Sequence, residues 1–226
     1  MKTIIRIWDL PIRLFHWLLV FCIAGSFVTI NLGDEFIQWH AYFGYSILTL
    51  LIFRIVWGFV GSKHARFLSF IPSKQAIFDY LQGRSPRVLG HNPIGALSVF
   101  ALLFVLSVQV FTGLFVDDEV SFKGPLEKYV SGSVASFFSE IHEGNQVVIL
   151  TLIAIHIAAI IFYKKFKGED LIKPMISGDK EIDPSEEAEY LPADLGRASK
   201  DGVLQRGFAL LLLSVIAVVV GYLITK

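Results

Sequence analysis

Long apolar runs separated by polar stretches dominate the 226-residue chain. A helix that crosses the hydrocarbon core of a bilayer needs roughly 20 mostly apolar residues. Five runs meet that length, at about 14–32, 39–61, 94–116, 143–163 and 207–224. They predict an all-α protein with five transmembrane helices. The flanks orient the spans. Lys2, Arg6 and Arg13 precede the first, and Lys63, Arg66, Lys74, Arg84 and Arg87 lie between the second and third. Lys164, Lys165 and Lys167 follow the fourth, whereas the 117–140 connection opens with Asp117, Asp118 and Glu119. Basic loops stay in the cytoplasm. This predicts a cytoplasmic N-terminus, an external 117–140 connection and an external Lys226. Trp8, Trp17, Trp39 and Trp57 lie near span ends, as interface aromatics do. No secretory signal stands out, because the first apolar run lacks a small-residue cleavage site.

The connections carry their own patterns. "SKQAIFDYLQG" (73–83) has apolar positions at 76, 77, 78 and 81 and predicts a short interfacial helix. "GPLEKYVSGSVASFFSE" (124–140) reads similarly on the outer side, with Val130, Val134, Phe137 and Phe138. The 168–205 segment is polar and includes the acidic stretch "DKEIDPSEEAEY". It reads as a solvated loop or, alternatively, as a docking surface for a partner. In "HNPIGALS", Asn92 can cap the third span and Pro93 fits its first helical position.

Composition narrows the chemistry. Hydrophobic residues make up 54% of the chain and the mean hydropathy is +0.61, which suits a membrane protein. The formal net charge is zero, so nothing points to nucleic acid. A single cysteine, Cys22, lies in an apolar run. It excludes an intrachain disulfide framework, a C-x-x-C-H covalent haem attachment and a cysteine-ligated iron–sulfur cluster within this chain.

Four of the six histidines fall at matched depths. His156 follows His142 by 14 residues, nearly four helical turns, so both rings leave one face about 21 Å apart. His16 lies at the inner end of span one and His40 at the outer start of span two. His16 can therefore face His156, and His40 can face His142. Two pairs at two levels suit two bis-histidine b-type haems, which need no covalent attachment. Arg54 follows His40 by the same 14 residues, which carries a cation toward the inner depth. A guanidinium there can pair with a haem propionate, and Arg13 is a second candidate. Gly44, one turn after His40, leaves room for a flat macrocycle. A single histidine near a span end is commonly a packing or interfacial residue; four at two levels, with the arginine, favour the haem reading. A metal-ion site or a proton path would call for carboxylates within the spans. His64 and His91 read as solvated or capping residues, the alternative being a quinone pocket near the inner propionates.

"WDLPIRLFHW" (8–17) resembles the W-D-x-P-x-R-x-x-H-W opening of the bacterial cytochrome b561 family, whose superfamily includes the b-type cytochrome subunits of nickel–iron hydrogenases. "HAYFGY" (40–45), "FRIVWGFVGSKHARF" (53–67), "GHNPIGALS" (90–98) and "IHEGNQVVILTLIAIHIAAIIFY" (141–163) are similar to its other blocks. The resemblance covers roughly residues 5–177. It implies a bacterial inner-membrane protein with a four-helix haem-binding bundle, and its ligand pattern maps onto His16, His40, His142 and His156. On this reading residues 1–163 form the di-haem core, 164–205 a polar cytoplasmic connection and 206–226 a fifth transmembrane helix beyond the family core.

Such a chain is expected to move single electrons between membrane quinone or quinol and a partner redox protein, a hydrogenase or a c-type cytochrome. The quinone is expected on the inner side, around Arg54, His64 and His91. One alternative is a self-sufficient quinone-linked oxidoreductase, for example superoxide:quinone. Another is a non-redox transporter or scaffold in which the histidines are structural.

Overall fold

A computed structural model describes residues 2–120, 122–185, 187–190 and 198–225. The α-helices are α1 (Leu10–Leu32), α2 (Ile37–Val60), α3 (Lys74–Leu81), α4 (Pro93–Gly113), α5 (Gly132–Phe166), α6 (Ile172–Ser177) and α7 (Val203–Ile224). Among the described residues five of these, α1, α2, α4, α5 and α7, are long and apolar enough to cross a membrane. The five-span, all-α expectation therefore holds. Large apolar side chains such as Phe104, Leu210 and Val218 remain exposed along them, as lipid-facing side chains do.

Helix α5 is longer than the sequence reading allowed. Its 35 residues run about 52 Å, well beyond a hydrocarbon core of about 30 Å. The separate outer helix expected over 124–140 does not form. Glu127–Tyr129 makes a single 3-10 turn, and from Gly132 onward the segment is continuous with the span. Lys226 and Glu186, the latter within the acidic stretch, lie outside the described residues. The short α3 forms as expected, with the Ser73 side chain accepting from the Ala76 N–H. At the start of α4, Asn92 Oδ1 accepts from the Gly95 N–H at 2.7 Å, the expected cap.

The chain forms two compact units. The first comprises Met1–Leu14, Ile55–Ala101 and Ala154–Ala209; the second comprises Phe15–Arg54, Leu102–Ile153 and Leu210–Lys226. Each gathers segments distant in sequence.

In the first unit, the polar connection after α5 is not a purely solvated loop. Strand β2 (Asp179–Ile182) pairs antiparallel with β1 (Thr3–Arg6), placing Arg6 opposite Asp179. The Arg6 guanidinium holds that carboxylate with two hydrogen bonds of 2.6 and 2.9 Å. Gly178, at φ +90°, feeds its carbonyl to the Ile7 and Trp8 N–H groups, and a Cβ there would lie 2.7 Å from the Trp8 carbonyl oxygen. Glycine alone accommodates both constraints. Asp9 is buried and caps α1: its carboxylate accepts from the Ile12 N–H at 2.8 Å and from the Trp57 indole at 3.0 Å.

Asp201 is the hub of this unit. Its carboxylate accepts from the Leu10 N–H at 3.1 Å, from Arg6 at 2.6 Å and twice from Arg206 at 3.0 Å. One residue thus ties the N-terminal strand, the start of α1 and the start of α7. Burial would raise the Asp201 pKa, but the bonds from Arg206, Leu10 and Arg6 outweigh it and hold the carboxyl below its ordinary value.

A depressed folded pKa contributes stability that is complete above the unfolded value of about 3.9, declines as pH falls below it and is gone once pH has passed through the lower folded value. Asp201→Asn is therefore expected to destabilise the protein by about 2–3 kcal/mol at neutral pH, the worth of a hydrogen bond to a charged group. Thermal unfolding in detergent should show this gap at pH 7 and its closure in strong acid. Equal unfolding of the two proteins at pH 7 would contradict it.

Candidate functional site

The expected histidine pair His40 and His142 meets inside the second unit. Their ring centroids are 6.2 Å apart and the ring planes are nearly perpendicular, at 82°. Each ring is held by its Nδ1. His40 Nδ1–H donates to the Ser26 carbonyl at 3.0 Å, with Ser26 Oγ 3.1 Å away. His142 Nδ1–H donates to the Gln109 carbonyl at 2.9 Å, with Thr112 Oγ1 at 3.3 Å. A carbonyl only accepts, so the proton is on Nδ1 in both rings. The tautomer leaves each Nε2 with an available lone pair, as a metal-binding imidazole requires.

Helix packing produces this placement. At Gly25 of α1, the Phe43 ring comes within 2.5 Å of where a Cβ would stand. That close approach brings α2 against α1 and His40 onto Ser26. Helices α1, α2, α4 and α5 line a cavity of about 360 Å³, and among the described residues α7 contributes nothing to it. The size falls in the range of small-molecule sites. His40, His142 and Gly44 all line it, and a Cβ built at Gly44 would meet nothing within 4 Å. Among the described residues no lysine or arginine lines the cavity, whereas Asp34, Asp118 and Glu143 do.

The other expected residues are distributed between the units. His16 and Arg54 belong to the second unit, His156 and Arg13 to the first. His16 packs edge-on against Trp17, and Arg54 is 4% exposed within α2. Arg13 is already engaged in its own unit: it donates to the Ile176 carbonyl at 2.7 Å and lies 3.7 Å from Asp201. Its buried Nε has no hydrogen-bond acceptor among the described residues. His64 is buried rather than solvated. His91 sits between Trp8 and Phe70, at centroid distances of 4.8 and 4.4 Å. Neither ring is the solvated residue expected.

Ser26, Gln109, Thr112 and Gly113 escaped sequence reasoning. Gln109 was the one with a signal, a primary amide within the run "VFALLFVLSVQVFTG" (99–113).

Comparison with known proteins places the chain in a family. Residues 7–178 match the family described as prokaryotic cytochrome b561. The chain is 22% identical over 215 residues to the probable Ni/Fe-hydrogenase B-type cytochrome subunit of Rhodobacter capsulatus, covering 79% of this chain and 82% of the relative. It is 24% identical over 212 residues to the protein of the same description from Rhizobium leguminosarum bv. viciae, covering 78% and 88%. It is also 27% identical over 143 residues to the probable Ni/Fe-hydrogenase 1 B-type cytochrome subunit of Escherichia coli K12, covering 51% and 61%. With five apolar spans, a histidine-lined cavity between four of them and a match over residues 7–178, the chain belongs to the prokaryotic cytochrome b561 family of membrane electron-transfer proteins.

Proposed function

We propose that this chain is a di-haem cytochrome that moves single electrons between the membrane quinone pool and a partner redox protein. In this reading His40 and His142 hold an outer haem b, and His16 and His156 an inner one. The observation that carries it is the separation of the first pair. Two imidazoles that would hold one metal ion between them, each through a nitrogen about 2 Å from the ion, would stand roughly 6 Å apart at their ring centres. The His40 and His142 centroids are 6.2 Å apart. The Nδ1 bonds to main-chain carbonyls, the bare Gly44 and the cavity support the same fit. Haem iron supplies one-electron redox chemistry, and the protein tunes it through axial ligands, burial and hydrogen bonds.

The inner level follows from α5, which carries His142 and His156 nearly four turns apart. Arg54 supports it too. A cation inside a span costs about 2.5–3.5 kcal/mol or more, and a propionate carboxylate is a natural counter-charge. Arg13 is the weaker propionate ligand, because its guanidinium already serves Ile176 and Asp201. Residues 1–163 then form the haem-binding core, 164–205 the cytoplasmic connection and 206–226 an added helix. The basic residues around the 62–92 and 164–167 segments support a cytoplasmic N-terminus in a bacterial inner membrane. A quinone site on that side, beside His64 and His91, is consistent with the aromatic setting of His91 between Trp8 and Phe70. The relatives described as hydrogenase cytochrome subunits favour a hydrogenase as the partner.

The test is a haem count and a reduced-minus-oxidised spectrum of the detergent-purified chain. Two extractable haems per polypeptide with low-spin b-type bands are expected. His40→Ala or His142→Ala should each leave one haem, and His16→Ala or His156→Ala should remove the other. Loss of both haems in every variant, with the protein still folded, would overturn the pairing. Arg54→Gln is expected to weaken retention of the haem that depends on His16 and to spare its counterpart. Retention of both haems through repeated detergent washing would remove Arg54 from that role.

A further inference from the structure

Two primary amides from different spans of the second unit meet: Gln109 in α4 and Asn145 in α5. An amide in hydrocarbon is costly unless every donor and acceptor finds a partner. Here the partners converge on one histidine. Gln109 Nε2–H donates to the main-chain carbonyl of His142 at 3.0 Å, while His142 Nδ1–H donates to the main-chain carbonyl of Gln109 at 2.9 Å. Each residue's side chain holds the other's backbone. Asn145 closes the arrangement: its Nδ2 donates to Gln109 Oε1 at 2.8 Å and to the Val105 carbonyl at 2.9 Å. The main-chain partners are acceptors only, so both amide orientations are determined by the network.

Gly113 completes the arrangement sterically. A Cβ at that position would stand 2.9 Å from His142 Cε1 and 3.2 Å from its Nδ1. The imidazole thus lies flush on the α4 backbone, and any side chain at 113 would push it away. Among the described residues His40 has no comparable amide support and bonds to Ser26.

We infer that Gln109 is a positioning residue for His142, with Asn145 locking its amide and Gly113 admitting the ring, and that this clasp sets the potential of the outer haem. The inference rests on the di-haem reading. A short Nδ1–H bond to a carbonyl makes the ring a more basic ligand. Greater basicity favours the ferric state and lowers the potential. Releasing Gln109 frees α4 to shift against α5, lengthens the Nδ1 bond and raises the potential.

The experiment is an optical potentiometric titration of the purified, haem-loaded full chain. The outer component is identified as the one absent in His40→Ala. Gln109→Met removes the amide at similar length, and Asn145→Leu removes its lock. Each is expected to raise the outer component by about tenfold in the reduced-to-oxidised ratio, about 59 mV for one electron, and to leave the inner component in place. Gly113→Ala displaces the ring without deleting any hydrogen-bonding group and should alter the low-spin EPR signal of the same component. Thr151→Val, on the same helix with an exposed hydroxyl bonded only to Val147, should change neither. Should Gln109→Met fail to accumulate, Asn145→Leu and Gly113→Ala carry the test. An unmoved outer component in folded, haem-replete variants would overturn the inference while leaving the di-haem reading intact. Equal movement of both components would also overturn it. A wild-type chain with fewer than two haems would instead defeat the underlying reading.

Discussion

The bonds from imidazole Nδ1–H groups to main-chain carbonyls of neighbouring helices are the contacts on which the rest of the site depends. In a bilayer, water cannot satisfy the second nitrogen of a ligand histidine, so the protein must. His40 takes the Ser26 carbonyl of α1 and His142 takes the Gln109 carbonyl of α4. Each bond sets a tautomer and, with it, the register of a helix pair. A carbonyl can be reached only where backbones come close, and this accounts for Gly25 under Phe43 and Gly113 under His142. The cavity is what remains between two helix pairs spaced by these contacts.

Charge is handled differently in the two units. Among the described residues, the cavity lining in the second unit includes Asp34, Asp118 and Glu143 and no lysine or arginine. The first unit is laced with cation–carboxylate contacts that join the N-terminal strand to the connection before α7. Its hub, Asp201, gathers Arg6 and Arg206. The segment beyond α5 thereby becomes part of the folded unit, where its charge alone suggested a loop. Helix α7 adds no lining to the cavity among the described residues; it is tied into the first unit by the Arg206–Asp201 pair and the Trp57–Phe208 ring contact at 6.1 Å.

Much of this was legible in the chain. Span number and type follow from apolar length, and the α4 cap from Asn92 and Pro93. The His40–His142 meeting follows from matched depth in a membrane, a constraint that soluble proteins lack. What escaped reading depends on tertiary partners. The extra turns of α5 keep the phase of the span, since the buried Ala135 stands 14 residues before the buried Ile149. The β1–β2 ladder joins residues separated by most of the chain, and no local propensity marks Asp179 as the partner of Arg6. His64 and His91 looked solvated because they lie in a polar connection; His64 is buried, with the turn at Gly90 against its ring, and Trp8 and Phe70 half-cover His91. Gly113 gave no signal at all, since its necessity exists only once His142 lies against it.

In the proposed reading His40 and His142 hold one iron between them. Anomalous diffraction at the iron edge, on crystals of the haem-loaded protein, tests it most directly. The account predicts an iron peak about 2 Å from the Nε2 atoms of both histidines, with Nδ1 of each still bonded to Ser26 and Gln109. An iron peak away from this pair, or coordination of either histidine through Nδ1, would contradict it.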